Sequence, residues 1–255
     1  MILVISPAKS MDFNTPATTA LNSLPQFIDE ASVINKELRK LSAGQLSSLM
    51  GISQGLAELN FERIYMWSHQ NPDNPLKPAV LAYAGDVYQG LKAKTFSDEQ
   101  LQIAQSKIRI ISGLYGLLRP LDLIQAYRLD MGTSLAVQQN KDLYSFWTEK
   151  ITGQLQNDLN INGKVLVNLA SNEYFRAINT DGIDARIITP VFKDMKNGQY
   201  KMISFYAKRA RGLMCRFVVE NNITDPEDMK AFDSEGYIFS PVLSRNDSWV
   251  FTREY

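Results

Sequence analysis

Residues 186–205 read RIITPVFKDMKNGQYKMISF, and this stretch decides the fold class. Two runs rich in β-branched and aromatic residues, 186–192 and 199–205, flank Lys196-Asn197-Gly198. Asn-Gly supplies the two positive-φ positions that a tight hairpin turn requires, so the runs predict adjacent antiparallel strands. A second hairpin-like pair follows, with strands at 237–240 and 249–253 around residues 244–247. Upstream, ILVI at 2–5, IRII at 108–111 and KVLVNL at 164–169 are short apolar runs of the kind that form fully buried strands.

Helical patterns separate these runs. Leu24, Phe27, Ile28, Ala31, Ile34 and Leu38 recur at helical spacing and predict a helix over 24–40. Further helices are expected at 43–50, 54–67, 79–91, 142–159 and 172–178. Ser97-Asp98-Glu99-Gln100 is a capping box opening a helix to about Lys107. The Asn/Pro-rich stretch 69–78 reads as a loop, and 112–132, punctuated by Gly113, Gly116, Pro120 and Gly132, as irregular. Interleaved strands and helices imply an α/β (mixed α+β) protein, and the hairpins exclude a purely parallel, doubly wound sheet. The expectation is a single domain over 1–255, a mixed β-sheet surrounded by helices, with no repeat and no linker.

Composition narrows the function classes. The 27 Lys and Arg balance 27 Asp and Glu, so any attraction to nucleic acid must come from local clustering. One cysteine, Cys215, excludes a disulfide framework or thiolate metal cluster, and one histidine, His69, leaves a metal site or catalytic triad little to use. No metal or cofactor is expected. The four apolar residues before Ser6-Pro7 are too few for a signal peptide, and no run approaches a membrane span. A cytoplasmic monomer without membrane association is the simplest reading.

Charge does cluster once. Lys208, Arg209, Arg211 and Arg216 fall within nine residues of a helix that begins near Tyr206. At about 100° per residue, Tyr206, Ala210, Leu213, Met214 and Phe217 share one face and the cations spread over the other. Gly212 sits among them, where glycine costs about 1 kcal/mol. Either a phosphate approaches the backbone there, or the face is merely solvated and Gly212 serves close packing. Cys215 has Arg211 one turn before it, a setting that lowers a thiol pKa; with no second cysteine to resolve an oxidised thiol, a packed helix cysteine is the simpler reading.

Three further segments carry polar chemistry. Residues 43–67 form a helix-hairpin-helix-like element in which Leu46, Leu49, Gly51, Ile52 and Ala57 occupy the positions of the L-x-x-L-P-G-I-G motif. Met50 and Ser53 replace its proline and second glycine, and Gln54 and Gly55 stand where cations usually follow. Such a turn aims backbone amides at a phosphate without reading bases. Ser6 and Lys9 follow the first strand, at the carboxyl end where α/β ligands collect. Asp86, Asn172 and Glu173 add polar groups near element ends, with Asp86 and Glu173 as candidate acid or base. Arg119 ends a Gly-flanked turn followed by Asp122, Arg128 and Asp130; it either faces a pocket or, like Arg128, is buried and paired to one of those aspartates. No Walker loop, G-x-G-x-x-G, G-x-S-x-G or H-E-x-x-H occurs.

Taken in order, SPAK at 6–9, GDVYQGL at 85–91, SGLYGLLRPLDLIQAYRLDMG at 112–132, KDLYSFW at 141–147, NLASNEYF at 168–175, PVFKDMKNGQYKMISFYAKRARGLM at 190–214 and SEGYIF at 234–239 resemble the YaaA peroxide-stress resistance family over essentially the whole chain. The resemblance implies a cytoplasmic bacterial protein that protects DNA during peroxide stress and limits free iron. It also implies a fold outside the common superfolds, a positively charged cleft, and a helix-hairpin-helix that binds double-stranded or branched DNA through Gly51 and Ser53. Lys208, Arg209, Arg211, Gly212 and Arg216 then become the expected electrostatic partner of a hairpin that lacks cations. The alternative is an enzyme acting on a nucleotide, base or phosphate-bearing small molecule in a pocket lined by Ser6, Lys9, Asp86 and Arg209.

Overall fold

A computed structural model describes residues 1–68 and 74–254; His69 lies outside the described residues. The chain runs β1 (Ile2–Ile5), α1 (Ile28–Leu38), α2 (Ala43–Met50), α3 (Gln54–Met66), β2 (Lys77–Pro78), α4 (Ala79–Ala82) and α5 (Asp86–Leu91). It continues through α6 (Asp98–Lys107), β3 (Ile108–Ser112), β4 (Gly116–Leu118), β5 (Leu123–Ile124), α7 (Leu143–Asn162), β6 (Val165–Leu169) and α8 (Asn172–Phe175). β7 (Arg186–Lys196), β8 (Gln199–Lys201), α9 (Ser204–Glu220), β9 (Ile238–Phe239) and β10 (Ser248–Arg253) complete it.

The main sheet has strand order β4-β3-β1-β6-β7-β10-β9, with β8 paired to β7. β3, β1, β6, β7 and β10 pair in parallel, while β4, β8 and β9 join antiparallel. The fold is therefore mixed α/β, as the hairpin at 186–205 demands. Asn197 and Gly198 take positive φ of 54° and 72° at that turn. The central strands are apolar because both faces are covered: every residue of β1 and β3 is buried. Each fully buried Ile, Leu or Val there contributes about 1.5–3 kcal/mol.

Connectivity creates a crevice. From β1 the chain goes to β3 on one side, and from β6 to β7 on the other. Between β1 and β6 the sheet direction of winding reverses, and loops leaving their carboxyl ends diverge. Ser6 and Ser171 follow those two ends.

Four local expectations change. The helix expected from Leu24 starts at Ile28, because Ser23 bridges to Asp122 and Pro25 interrupts the run. The strand expected over 199–205 ends at Lys201, and α9 begins at Ser204. The stretch 112–132 is not wholly irregular, since β4 and β5 form within it. The helix expected over 79–91 breaks at 83–85. There the Ala84 amide donates to the Ser10 carbonyl at 2.9 Å and the Ser10 hydroxyl donates to the Ala84 carbonyl at 2.7 Å. A Cβ on Gly85 would lie 2.8 Å from Ala8 Cβ, so the turn after β1 fits only against glycine. The break turns the start of α5 toward the β1–β6 crevice.

Candidate functional site

A cavity of about 440 Å³ sits at that crevice. Ser6, Lys9 and Ser10 come from the turn after β1, and Asp86, Tyr88 and Gln89 from α5. Ser171, Glu173 and Tyr174 come from the segment after β6, and Lys208 and Arg211 from α9. The structure thus joins Ser6, Lys9 and Asp86 with two of the four helix cations.

Hydrogen bonds hold its floor. The Ser6 hydroxyl donates to Ser171 Oγ at 3.3 Å and accepts from the Ser171 amide at 2.9 Å, tying the two strand ends together. Tyr88 donates its hydroxyl to the Ser6 carbonyl at 3.1 Å. Behind it, Tyr83 and Tyr127 share a hydroxyl contact of 2.5 Å, and Tyr127 meets Ser112 at 2.6 Å. Burial pushes the Tyr83 and Tyr88 hydroxyls well above their usual range, so these phenols stay neutral. On the rim, Lys9 Nζ lies 3.0 Å from Asp130, which also accepts from Tyr174 at 3.3 Å. Glu173 accepts from the Gly132 amide at 3.1 Å.

The cations of α9 divide into two pairs with different fates. Arg209 directs its guanidinium at the Glu235 carboxylate, with Nε contacts of 2.9 and 3.1 Å, and lies outside this cavity. Arg216 pairs with Glu220 at 2.6 Å, donates to the Leu91 and Lys92 carbonyls, and stacks over Phe96. Both expected phosphate ligands are therefore spent on the fold. Lys208 and Arg211 have no ion-pair or hydrogen-bond partner among the described residues, and both line the cavity. Partial burial lowers the Arg211 pKa by desolvation, yet a guanidinium stays charged.

Gly212 corrects the phosphate-approach reading. A Cβ there would lie 1.8 Å from the Val87 carbonyl oxygen and 2.8 Å from the Leu91 amide. Reciprocally, a Cβ on Gly90 would lie 2.2 Å from the Arg209 carbonyl oxygen. The glycines let α5 and α9 touch backbone to backbone, and no phosphate fits between. This crossing sets Lys208 and Arg211 opposite Asp86.

Other expected residues lie elsewhere. Arg119 pairs with Asp122 at 3.2 Å and donates to the Leu24 carbonyl, so its aspartate-paired alternative holds. Asn172 is exposed and lines no part of the cavity, whereas its neighbours Ser171 and Glu173 do. Gly51 has the left-handed φ of 60° expected of its turn, with open space at its Cβ. Neither it nor Ser53 reaches the cavity. Cys215 is fully buried and its thiol is pushed up by desolvation, contrary to an activating role for Arg211. Ser10 and Gln89 escape sequence reasoning, whereas Ser171 and Tyr174 belong to the polar segment that directly follows KVLVNL.

Fold and site together define a class: a mixed α/β protein with a polar crevice, lined by both cations and carboxylates, at the sheet's winding reversal. Residues 1–243 match the family model described as peroxide stress protein YaaA. A UPF0246 protein of Burkholderia thailandensis is 52% identical over 99% of this chain and 98% of its own length. UPF0246 proteins of Burkholderia mallei and Burkholderia pseudomallei are 51% identical with the same coverage. The chain belongs to the YaaA peroxide stress protein family, and its role lies in the peroxide stress response. No described helix is long and apolar enough to cross a membrane.

Proposed function

We propose that this protein acts in the cytoplasm under peroxide stress by binding DNA, with a backbone phosphate held by Lys208 and Arg211. One observation carries the reading: two cations one helical turn apart, without carboxylate partners among the described residues, face a single crevice. In a chain of zero net charge, such unspent cations are the natural source of an electrostatic contact. A second contact is the helix-hairpin-helix-like element. Ser53 caps α3 without a side-chain hydrogen bond, which leaves first-turn amides for an external acceptor. DNA held this way is shielded from iron- and peroxide-derived damage without a resident metal, and contacts to phosphate make the binding sequence-tolerant.

The test is fluorescence anisotropy of a labelled duplex across a salt series. Lys208→Gln with Arg211→Gln should weaken binding strongly and flatten the log–log salt slope by about 0.9 for each phosphate no longer neutralised. Arg209→Gln, whose charge is already met by Glu235, should change the slope far less. Unchanged affinity and slope in the Lys208/Arg211 double variant would rule this site out.

A further inference from the structure

A small cavity, with no lining residue in common with the crevice, lies where α3 meets the segment after β5. Its volume is about 10 Å³, the room of roughly one water-sized particle. Arg63, in the last turn of α3, and Arg128, beyond β5, both line it. Leu38, Ile64, Leu114 and Leu129 supply apolar walls, and among the described residues no carboxylate borders the space.

The protein's own acceptors around this cavity are already committed. Arg39 donates to the carbonyls of Ile64, Tyr65 and Trp67 at 3.2, 2.7 and 2.9 Å, and Asn35 donates to the same Ile64 carbonyl at 3.1 Å. The Tyr127 hydroxyl is held by Tyr83 and Ser112. The aspartate expected beside Arg128 is not there, because Asp122 pairs with Arg119 and Asp130 with Lys9. Neither the Arg63 nor the Arg128 guanidinium has a hydrogen-bond or ion-pair partner among the described residues, and Arg128 Nε is buried. Arg109, Arg119, Arg209, Arg216 and Arg253, by contrast, each meet a carboxylate. Burial lowers the Arg63 pKa with no opposing carboxylate, yet a guanidinium stays charged. Two cations that converge on one poorly solvated space repel each other, and each lacks an acceptor.

We propose that this cavity binds a single-atom anion, chloride in ordinary solution, held between Arg63 and Arg128. The volume excludes phosphate and carboxylates, whose several oxygens need more room. Apolar walls give nothing in exchange for a hydration shell, which favours weakly hydrated chloride and bromide over fluoride. The ion bridges α3 to the segment after β5, so its occupancy is linked to folding. The site stands apart from the crevice and does not depend on what the crevice binds.

Urea melts of the full chain at constant ionic strength, with gluconate replaced stepwise by chloride, read that linkage. Above the dissociation constant, the folded-to-unfolded ratio should rise about tenfold for each tenfold rise in chloride, a log–log slope approaching one. Bromide should act as chloride does. Arg128→Met keeps an unbranched side chain and removes the charge. In gluconate it should be as stable as wild type or more so, because a repulsion is relieved. In chloride it should fall below wild type, with a slope near zero. A purely structural Arg128 would instead cost the same in both salts. Wild-type crystals soaked in bromide need no variant, and should show an anomalous-scattering peak within hydrogen-bond distance of Arg128 Nε. A slope shared by wild type and Arg128→Met overturns the proposal, as does a cavity that takes up water but no bromide.

Discussion

Gly212→Ala distinguishes helix packing from phosphate approach in a single substitution. The new methyl would start 1.8 Å from the Val87 carbonyl oxygen, and reaching van der Waals contact requires about 1.5 Å of retreat. Retreat is blocked on the same interface, because Gly90 already brings α5 against the Arg209 carbonyl and the Leu213 amide. Overpacking of this kind costs about 1–3 kcal/mol, and the severity here places it at the upper end. Replacing a mid-helix glycine returns about 1 kcal/mol of helix propensity. The net loss is about 2 kcal/mol, which for a chain of this size lowers Tm by roughly 4–8 °C. Differential scanning calorimetry reads it, with Gly153→Ala as the control. Gly153 lies in α7 with nothing within 4 Å of its Cβ, so alanine there should stabilise by up to about 1 kcal/mol. A Gly212→Ala variant that melts at or above wild type yet loses DNA affinity would refute the packing argument.

Two other outcomes follow from the same helix. Glu235 has its pKa depressed, chiefly by its hydrogen bonds from Arg209; desolvation opposes this, and the charges of Arg209, Arg253 and Lys92 add smaller depressions. A depressed carboxylate contributes stability above its unfolded pKa and loses it as pH falls through the folded value. The wild-type advantage over Glu235→Gln in denaturant melts should hold from neutrality to about pH 5 and shrink below it; an advantage that grows on acidification contradicts the assignment. Cys215 is buried with its thiol pushed up, so a disulfide dye should label it only at the rate of unfolding, and rapid labelling of the native protein would reopen a redox role.

Much of the fold is legible in residues 186–205 and in the apolar runs of β1, β3 and β6. Asn-Gly turn chemistry and two-faced burial are local properties, and they survive folding. The capping box at Ser97 likewise forms between neighbours in sequence. The break at Tyr83–Gly85 was not legible, because the partner that competes with helical hydrogen bonding is Ser10, some seventy residues away. Ser6, Lys9 and Asp86 could be nominated as polar groups at element ends, but nothing in their spacing brings them to one cavity.

What the sequence alone determined is the set of groups: a mixed sheet, a cluster of four cations on one helix, a glycine that needed a reason. Tertiary structure decided how those groups are used. Glu235 and Glu220 neutralise Arg209 and Arg216, leaving Lys208 and Arg211 to face the crevice. The backbone of α5 occupies the space beside Gly212. The physical reason is that charge and volume are shared quantities. Whether a cation is spent, or a glycine's space is empty, depends on what distant chain folds against it.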